Sequence, residues 1–418
     1  MLFGAIGDDL TGSVELAGML AVGARVALVT RAEAVARAAG NDAVVVALRS
    51  RVAPVEQAVA AFEVAGRELL AGGARQLFFK YCATFDSTPA GNIGPCADVL
   101  DRLTGATGAL FCPTFPEPER TVYRGHHFVG DQLLSNSPKR DDPLTPMRES
   151  DLVKVLQRQT PVPVGLIRLA TVQAGAPAVL AEWQRLRRSG SRYAIVDAIS
   201  HDNLRAIATA TVDQPLMTGG SSVAWHYPPL WQAMGWVAAR PPRGLFFPTG
   251  PAVVLAGSCA ERTLEQVDVF EADHPVLRLD ITDNEPDRLV GRAVDWVMAQ
   301  GSRPGCVTTA GNPAAVAAVQ GRLGRETAAR RAEAVLSGIA CALVARGHRR
   351  LVVAGGETSG AVVEALGIGE LDVAPYAQPG VGLCVASRPV PLGLCFKSGK
   401  LGARDLFRTV LTGMGDSR

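Results

Sequence analysis

Two adjacent acids, Asp8 and Asp9, end an apolar run near the N-terminus and lead into Leu10-Thr11-Gly12. A carboxylate pair at the end of a strand can hold a cation, bind substrate hydroxyls, or accept a proton from one of them. Capping of the following helix suits Asp9 but does not account for both acids. A second cluster runs from Lys80 through Thr84, Asp86, Ser87 and Thr88 to Gly91-Asn92-Ile93-Gly94. Its lysine can pair with a carboxylate, and its acid and hydroxyls can bind a polyol. Ser87 and Thr88 could also do no more than build a turn and cap a helix. A lysine that ends an apolar strand still needs a counter-charge or water.

Three turns in the second half suit phosphate instead. Ala256-Gly257-Ser258-Cys259-Ala260 follows an apolar strand and leads into a helix, so its amides and the helix dipole face outward together. Val352–Ala354 runs into Gly355-Gly356-Glu357-Thr358-Ser359-Gly360. Two glycines there allow close backbone approach, Thr358 and Ser359 add hydroxyls, and Glu357 is a candidate Mg2+ ligand. Lys397-Ser398-Gly399-Lys400 places two cations in a glycine-punctuated turn. The chain has no GxxxxGK[ST] phosphate loop.

Between these halves of the chemistry lies an irregular stretch, residues 112–146, rich in Pro, Gly, charge and His. Loops of that length in compact domains act as lids or binding loops. Arg120 is its candidate for an anionic substrate. His126 and His127 are adjacent and point apart on a strand, so a shared metal is not expected.

The elements that must position these groups are short apolar strands alternating with Ala-rich helices. Strands are expected at residues 2–7, 25–30, 43–48, 76–82, 109–112, 164–169, 193–198 and 215–218. A second series is expected at 252–257, 276–281, 306–310, 350–355, 371–374, 382–387 and 392–397, the last two as an antiparallel edge hairpin. The pattern reads as an α/β fold of two domains, each a mainly parallel sheet flanked by helices, with the active site in the interdomain cleft. Four prolines in 236–251 mark a linker, giving an N-terminal domain at 1–235 and a C-terminal domain at 252–418.

Composition narrows the partners. The 418 residues carry 42 Lys plus Arg against 40 Asp plus Glu and are 6% aromatic, which argues against nucleic acid and anionic membranes. No apolar run has the length of a membrane helix, and the N-terminus lacks the basic start of a signal peptide. The eight scattered cysteines form no CxxC pair and read as buried thiols of a cytoplasmic protein. Only five of the 42 cations are lysine. A lysine kept in a small-residue turn, such as Lys80 or Lys397, therefore suggests a need for a compact ammonium.

Taken in order, GDDLTG, KYCATFDST with GNIGP, CPTFPEPERTVYRGHHFV, GSC, AGGETSG and KSGKLG resemble the four-carbon acid sugar kinase family over nearly the whole chain. Within it, the chain is most similar to the branch that phosphorylates 3-oxo-tetronate. Relatives acting on threonate or erythronate read more like KKxDSTLRG at the second motif. The resemblance implies a sugar-acid-binding N-terminal domain and a nucleotide-binding C-terminal domain, with ATP and Mg2+ as cofactors. It points to Ser258, Gly356 to Ser359 and Gly399 as nucleotide contacts, and to Asp8, Asp9, Lys80, Asp86 and Ser87 on the sugar-acid side. The family's last motif usually reads KSGNFG; Lys400 and Leu401 depart from it here.

The reaction implied is ATP plus 3-oxo-tetronate giving 3-oxo-tetronate 4-phosphate plus ADP, through in-line attack of the C4 hydroxyl with Asp8 or Asp9 as base. A D-threonate or D-erythronate 4-kinase is the alternative. A non-catalytic sugar-acid sensor or a metal-dependent hydrolase on the Asp pair fits less of the pattern. The sequence leaves a homodimer open.

Overall fold

The computed structural model describes residues 1–142, 144–282, 285–311 and 313–415. The chain divides into two compact units, Met1–Arg243 and Gly244–Arg418.

The first unit is built on eight strands: β1 (Phe3–Gly7), β2 (Val26–Val29), β3 (Ala43–Ala47), β4 (Gln76–Lys80) and β5 (Ala109–Cys112), then, beyond three short strands, β9 (Val164–Ile167), β10 (Tyr193–Val196) and β11 (Leu216–Gly219). Their order is β2-β3-β1-β4-β11-β5-β10-β9. Every pairing in it is parallel. Strands β1, β3, β4, β5, β10 and β11 are buried along their whole length. That burial is why they read as continuous apolar runs rather than alternating ones.

From β1 the chain runs out to β2, returns to β3 beside β1, and then crosses to β4 on the opposite side of β1. A reversal of this kind opens a crevice beyond the carboxyl ends of the two strands that flank it. Here those strands are β1 and β4, with Gly7 in register with Lys80.

Residues 112–146 are more ordered than their composition suggests. They hold β6 (Arg120–Tyr123), β7 (His126–Val129) and β8 (Gln132–Leu133), a small antiparallel sheet of its own. Arg124 and Gly125 both have positive φ (52° and 76°), as a two-residue hairpin turn matched to strand twist requires. Strands this short, separated by charged turns, leave little alternation to read.

The second unit repeats the same winding. Its strands are β12 (Ala252–Ala256), β13 (Val276–Arg278), β14 (Gly305–Thr308), β15 (Arg350–Ala354), β16 (Glu370–Val373), β17 (Val381–Ala386) and β18 (Leu392–Lys397). Their order is β13-β14-β12-β15-β18-β17-β16. The chain again goes from the first strand to an outer one, back beside the first, and across it, so the reversal falls between β12 and β15. The expected hairpin of β17 and β18 forms, but not as an edge. β18 pairs in parallel with β15, and β17 continues to β16. All eight cysteines are free, and among the described residues no helix is long and apolar enough to cross a membrane.

Candidate functional site

At the β1–β4 crevice of the first unit, Asp8 and Asp9 are both buried, and one guanidinium holds the pair. Arg51 donates from Nε to Asp8 Oδ2 at 2.9 Å and from Nη2 to Asp8 Oδ1 at 2.7 Å. The same Nη2 lies 2.8 Å from Asp9 Oδ1. The two acids nevertheless have different surroundings. Asp9 caps the helix Leu10–Leu20, accepting from the Gly12 amide at 3.1 Å and from Thr11 Oγ1 at 2.8 Å. Asp8 has both its carboxylate hydrogen bonds with Arg51.

Their acidities diverge accordingly. Burial lifts the Asp8 carboxyl above its ordinary value, with Arg51 pulling against it. Burial acts on Asp9 as well, but Arg51, Lys80, the Thr11 hydroxyl and the Gly12 amide outweigh it and hold Asp9 low. Lys80, buried at the end of β4, completes the group. A Cβ on Gly12 would lie 2.1 Å from Lys80 Nζ and 2.5 Å from Asp9 Oδ1, so only glycine lets the ammonium sit over the first helical turn.

Around this centre, Asp86 accepts from Thr84 Oγ1 at 2.6 Å and from Lys139 Nζ at 2.8 Å. Lys139 also donates to Asp142 at 2.8 Å, and so ties the small-sheet segment to the main sheet. Burial opposes ionisation of Asp86, but Lys139 and Arg51 keep it low. Phe85, between Thr84 and Asp86, holds a positive φ of 52° while fully buried, backbone strain next to a functional group. Arg120 donates to the Pro118 carbonyl, and burial lowers its pKa against the opposing pull of the Glu119 and Asp86 carboxylates.

Ser87 and Thr88 are placed differently. The Ser87 hydroxyl accepts from Gln159 Nε2 at 2.9 Å, and the Thr88 carbonyl accepts from the same nitrogen at 2.8 Å. Both are engaged in holding the turn. His127 is fully buried, and neither ring nitrogen has a hydrogen-bond partner. Burial, with Arg120 beside it, pushes it down to about 3, so the ring is neutral. Sequence reasoning missed Arg51 and Lys139. In a chain this rich in arginine, an arginine in a loop after a strand carries no distinguishing signal.

In the second unit, Ser258 and Gly355 stand at the β12–β15 reversal. Gly355, at φ 124°, precedes the helix Gly356–Ala365, whose first turn holds Glu357, Thr358 and Ser359. Ser359 Oγ donates to the Gly355 carbonyl at 2.7 Å. A Cβ on Gly257 would lie 2.2 Å from Thr358 Oγ1, and one on Gly399 would lie 2.2 Å from Ser258 Oγ. The three turns singled out in the sequence are therefore packed against one another.

Lys397 is not among the groups that face outward there. Its ammonium is buried and donates to Thr263 Oγ1 at 2.7 Å, Gln266 Oε1 at 2.6 Å and the Gly399 carbonyl at 3.2 Å. None of these carries a charge, and burial pushes Lys397 down to about 7. It fastens the 397–399 turn to the helix Glu261–Glu271.

The two parts of the chain that carry these strand ends match known domains in the same order. Residues 3–227 match a family described as a sugar-binding N-terminal domain, and residues 253–407 one described as a nucleotide-binding C-terminal domain. The chain belongs to the four-carbon acid sugar kinase family. Among its relatives, the 3-oxo-tetronate kinase of Burkholderia multivorans is 44% identical over 98% of this chain and 96% of its own. That of Pseudomonas fluorescens is 42% identical over the same shares, and that of Salmonella typhimurium 34% identical over 97% of each chain. The crystal structure of a Salmonella typhimurium LT2 protein described as a tRNA synthase superposes with a TM-score of 0.85 at 32% identity, over 98% of both chains. A Haemophilus influenzae structure gives 0.75 at 31% identity, over 98% of this chain and all of its own.

Proposed function

We propose that this chain is an ATP-dependent phosphotransferase acting on an alcohol. It moves the γ-phosphoryl group of ATP to the C4 hydroxyl of 3-oxo-tetronate and releases 3-oxo-tetronate 4-phosphate and ADP. The observation that carries the reading is the Asp8–Arg51–Asp9 group with Lys80 at the β1–β4 crevice. It offers a cation for the substrate carboxylate and carboxylates for its hydroxyls, the pair of recognition elements a short sugar acid needs. The names of the relatives supply the acceptor.

Phosphoryl transfer demands positioning and charge stabilisation more than covalent chemistry from the protein. Lys80 pairs the substrate carboxylate, and Asp86 and Arg120 bound the same crevice. Asp8 takes the C4 hydroxyl proton late in transfer. Asp9, with its oxygens already used by Thr11, Gly12 and Arg51, holds the helix and the guanidinium in place. Ser258, Gly355 to Ser359 and Gly399 receive the nucleotide, and Lys397 keeps Gly399 against Ser258. Among the described residues no group of three or more His, Cys, Asp or Glu could cage a metal. Mg2+ usually binds through one or two carboxylates and the substrate's phosphates, and Glu357 is the carboxylate that would hold it here. Bound with ATP, Mg2+ neutralises phosphate charge. The work is cytoplasmic, where ATP is supplied.

An ADP-release assay over 3-oxo-tetronate, D-threonate and D-erythronate, with and without Mg2+, tests the reading. It expects Mg2+-dependent ADP release with 3-oxo-tetronate at the highest kcat/KM. A higher kcat/KM for D-threonate or D-erythronate would reassign the acceptor. Ligand binding without ADP release would make the chain a sensor.

A further inference from the structure

The carboxyl ends of four neighbouring parallel strands in the second unit lie in register. Ala256 of β12 is opposite Thr308 of β14 and Ala354 of β15, and Ala354 is opposite Lys397 of β18. One residue beyond these stand Thr309, Gly257, Gly355 and Ser398. The backbone step is the same across the row. The Thr309 amide donates to the Ala256 carbonyl at 3.1 Å, the Gly257 amide to Ala354 at 3.0 Å, and the Gly355 amide to Lys397 at 2.9 Å. Three of the four positions belong to the turns assigned above to nucleotide. Thr309 is the fourth, immediately beside Gly257.

The two threonines that end β14 are treated differently. Thr308 Oγ1 donates to the Ala256 carbonyl at 2.9 Å and accepts from the Ala310 amide at 2.9 Å. Thr309 Oγ1 is shielded from solvent and has no hydrogen-bond partner, although the residue as a whole is only half-buried. A buried hydroxyl without a partner destabilises the fold that holds it. Costs of that kind collect where a ligand completes the bonding.

We propose that Thr309 is a further nucleotide-contacting residue, its hydroxyl donating to an oxygen of the polyphosphate. The proposal rests on the nucleotide reading above. It extends the site from the β12–β15 reversal to β14, by a residue that no glycine-rich motif announces.

Thr309→Val keeps the β-branched shape and removes the hydroxyl; Thr309→Ser keeps the hydroxyl. Calorimetric titration with ADP and ATP, together with thermal melts of the ligand-free protein, reads both effects without relying on turnover. Val should weaken nucleotide binding about 10-fold or more, the scale of a hydrogen bond to a charged group, while Tm of the ligand-free protein holds or rises. Ser should bind within about twofold of wild type, a difference too small for a lost hydrogen bond. Unchanged affinity in Val, or a fall in its ligand-free Tm that Ser does not share, overturns the assignment to Thr309 alone. A wild-type protein that binds neither nucleotide overturns it together with the nucleotide reading.

Discussion

Arg51 grips Asp8 at both carboxylate oxygens, 2.9 and 2.7 Å away, and reaches Asp9 with the same Nη2. The two acids share this guanidinium, and what separates them is that Asp9 alone also accepts from Thr11 and the Gly12 amide. Asp9 is fully engaged as a helix cap, whereas Asp8 keeps lone pairs to spare and a pKa that burial raises above the ordinary carboxylate value. Asp8→Asn should therefore lower kcat by about 10²–10⁴-fold, the usual contribution of a positioned base, with ATP affinity intact. A base must be ionised, so wild-type kcat/KM should fall on the acid side at a pH above that of an ordinary carboxylate. The acid limb should vanish in Asp8→Asn. Rate against pH for the two proteins checks both points.

Removing the guanidinium leaves two buried carboxylates with the Lys80 ammonium as their remaining nearby counter-charge. Arg51→Met should destabilise by about 3–5 kcal/mol at neutral pH, as breaking a buried ion pair does. Arg51→Lys, which keeps a charge but loses the fork, should cost less. The deficit of Arg51→Met should narrow as pH falls, because protonation removes the uncompensated charge. Urea unfolding at several pH values measures it.

Gly399 has no room for a side chain beside Ser258. Gly399→Ala should push Ser258 out of position and raise KM for ATP about 10-fold, equivalent to about 1.4 kcal/mol, with KM for the sugar acid unchanged. Steady-state kinetics with each substrate varied in turn would show it.

Lys397 offers a stability test. Its folded value is about 7, against about 10.4 for an unfolded lysine. Between those values the unfolded chain binds the extra proton, so stability gains as pH rises from about 7 to about 10. The penalty is complete below about 7. Lys397→Met removes this term, so wild type should gain stability over the variant across that interval. Parallel denaturant titrations at pH 7, 8 and 9 read the difference in slope.

The fold was legible because sheets covered by helices on both faces need unbroken apolar strands, and β1, β3, β4, β12 and β15 all write one. The glycine and acid clusters were legible because they fall where those strands end. Arg51 was not, being one arginine among many in a loop that only the register of β3 beside β1 brings to the acids. Lys139 was hidden by 53 residues of separation from Asp86. The small sheet of β6 to β8 was hidden by strands of two to four residues. Lys397 carried a misleading signal: a lysine ending an apolar strand looks the same whether its ammonium meets a ligand or, as here, three neutral acceptors inside the protein. Thr309 was silent for the opposite reason, since a missing hydrogen bond leaves no trace in sequence.

The measurement closest to the central claim is ³¹P NMR of a reaction containing the protein, ATP, Mg2+ and 3-oxo-tetronate, with ADP followed alongside. The account predicts a new phosphate monoester coupled to the C4 methylene protons, formed mole for mole with ADP, and formed at least about 100-fold more slowly when Asp8→Asn replaces wild type. ADP accompanied only by inorganic phosphate, or a phosphate on any other carbon, would contradict it.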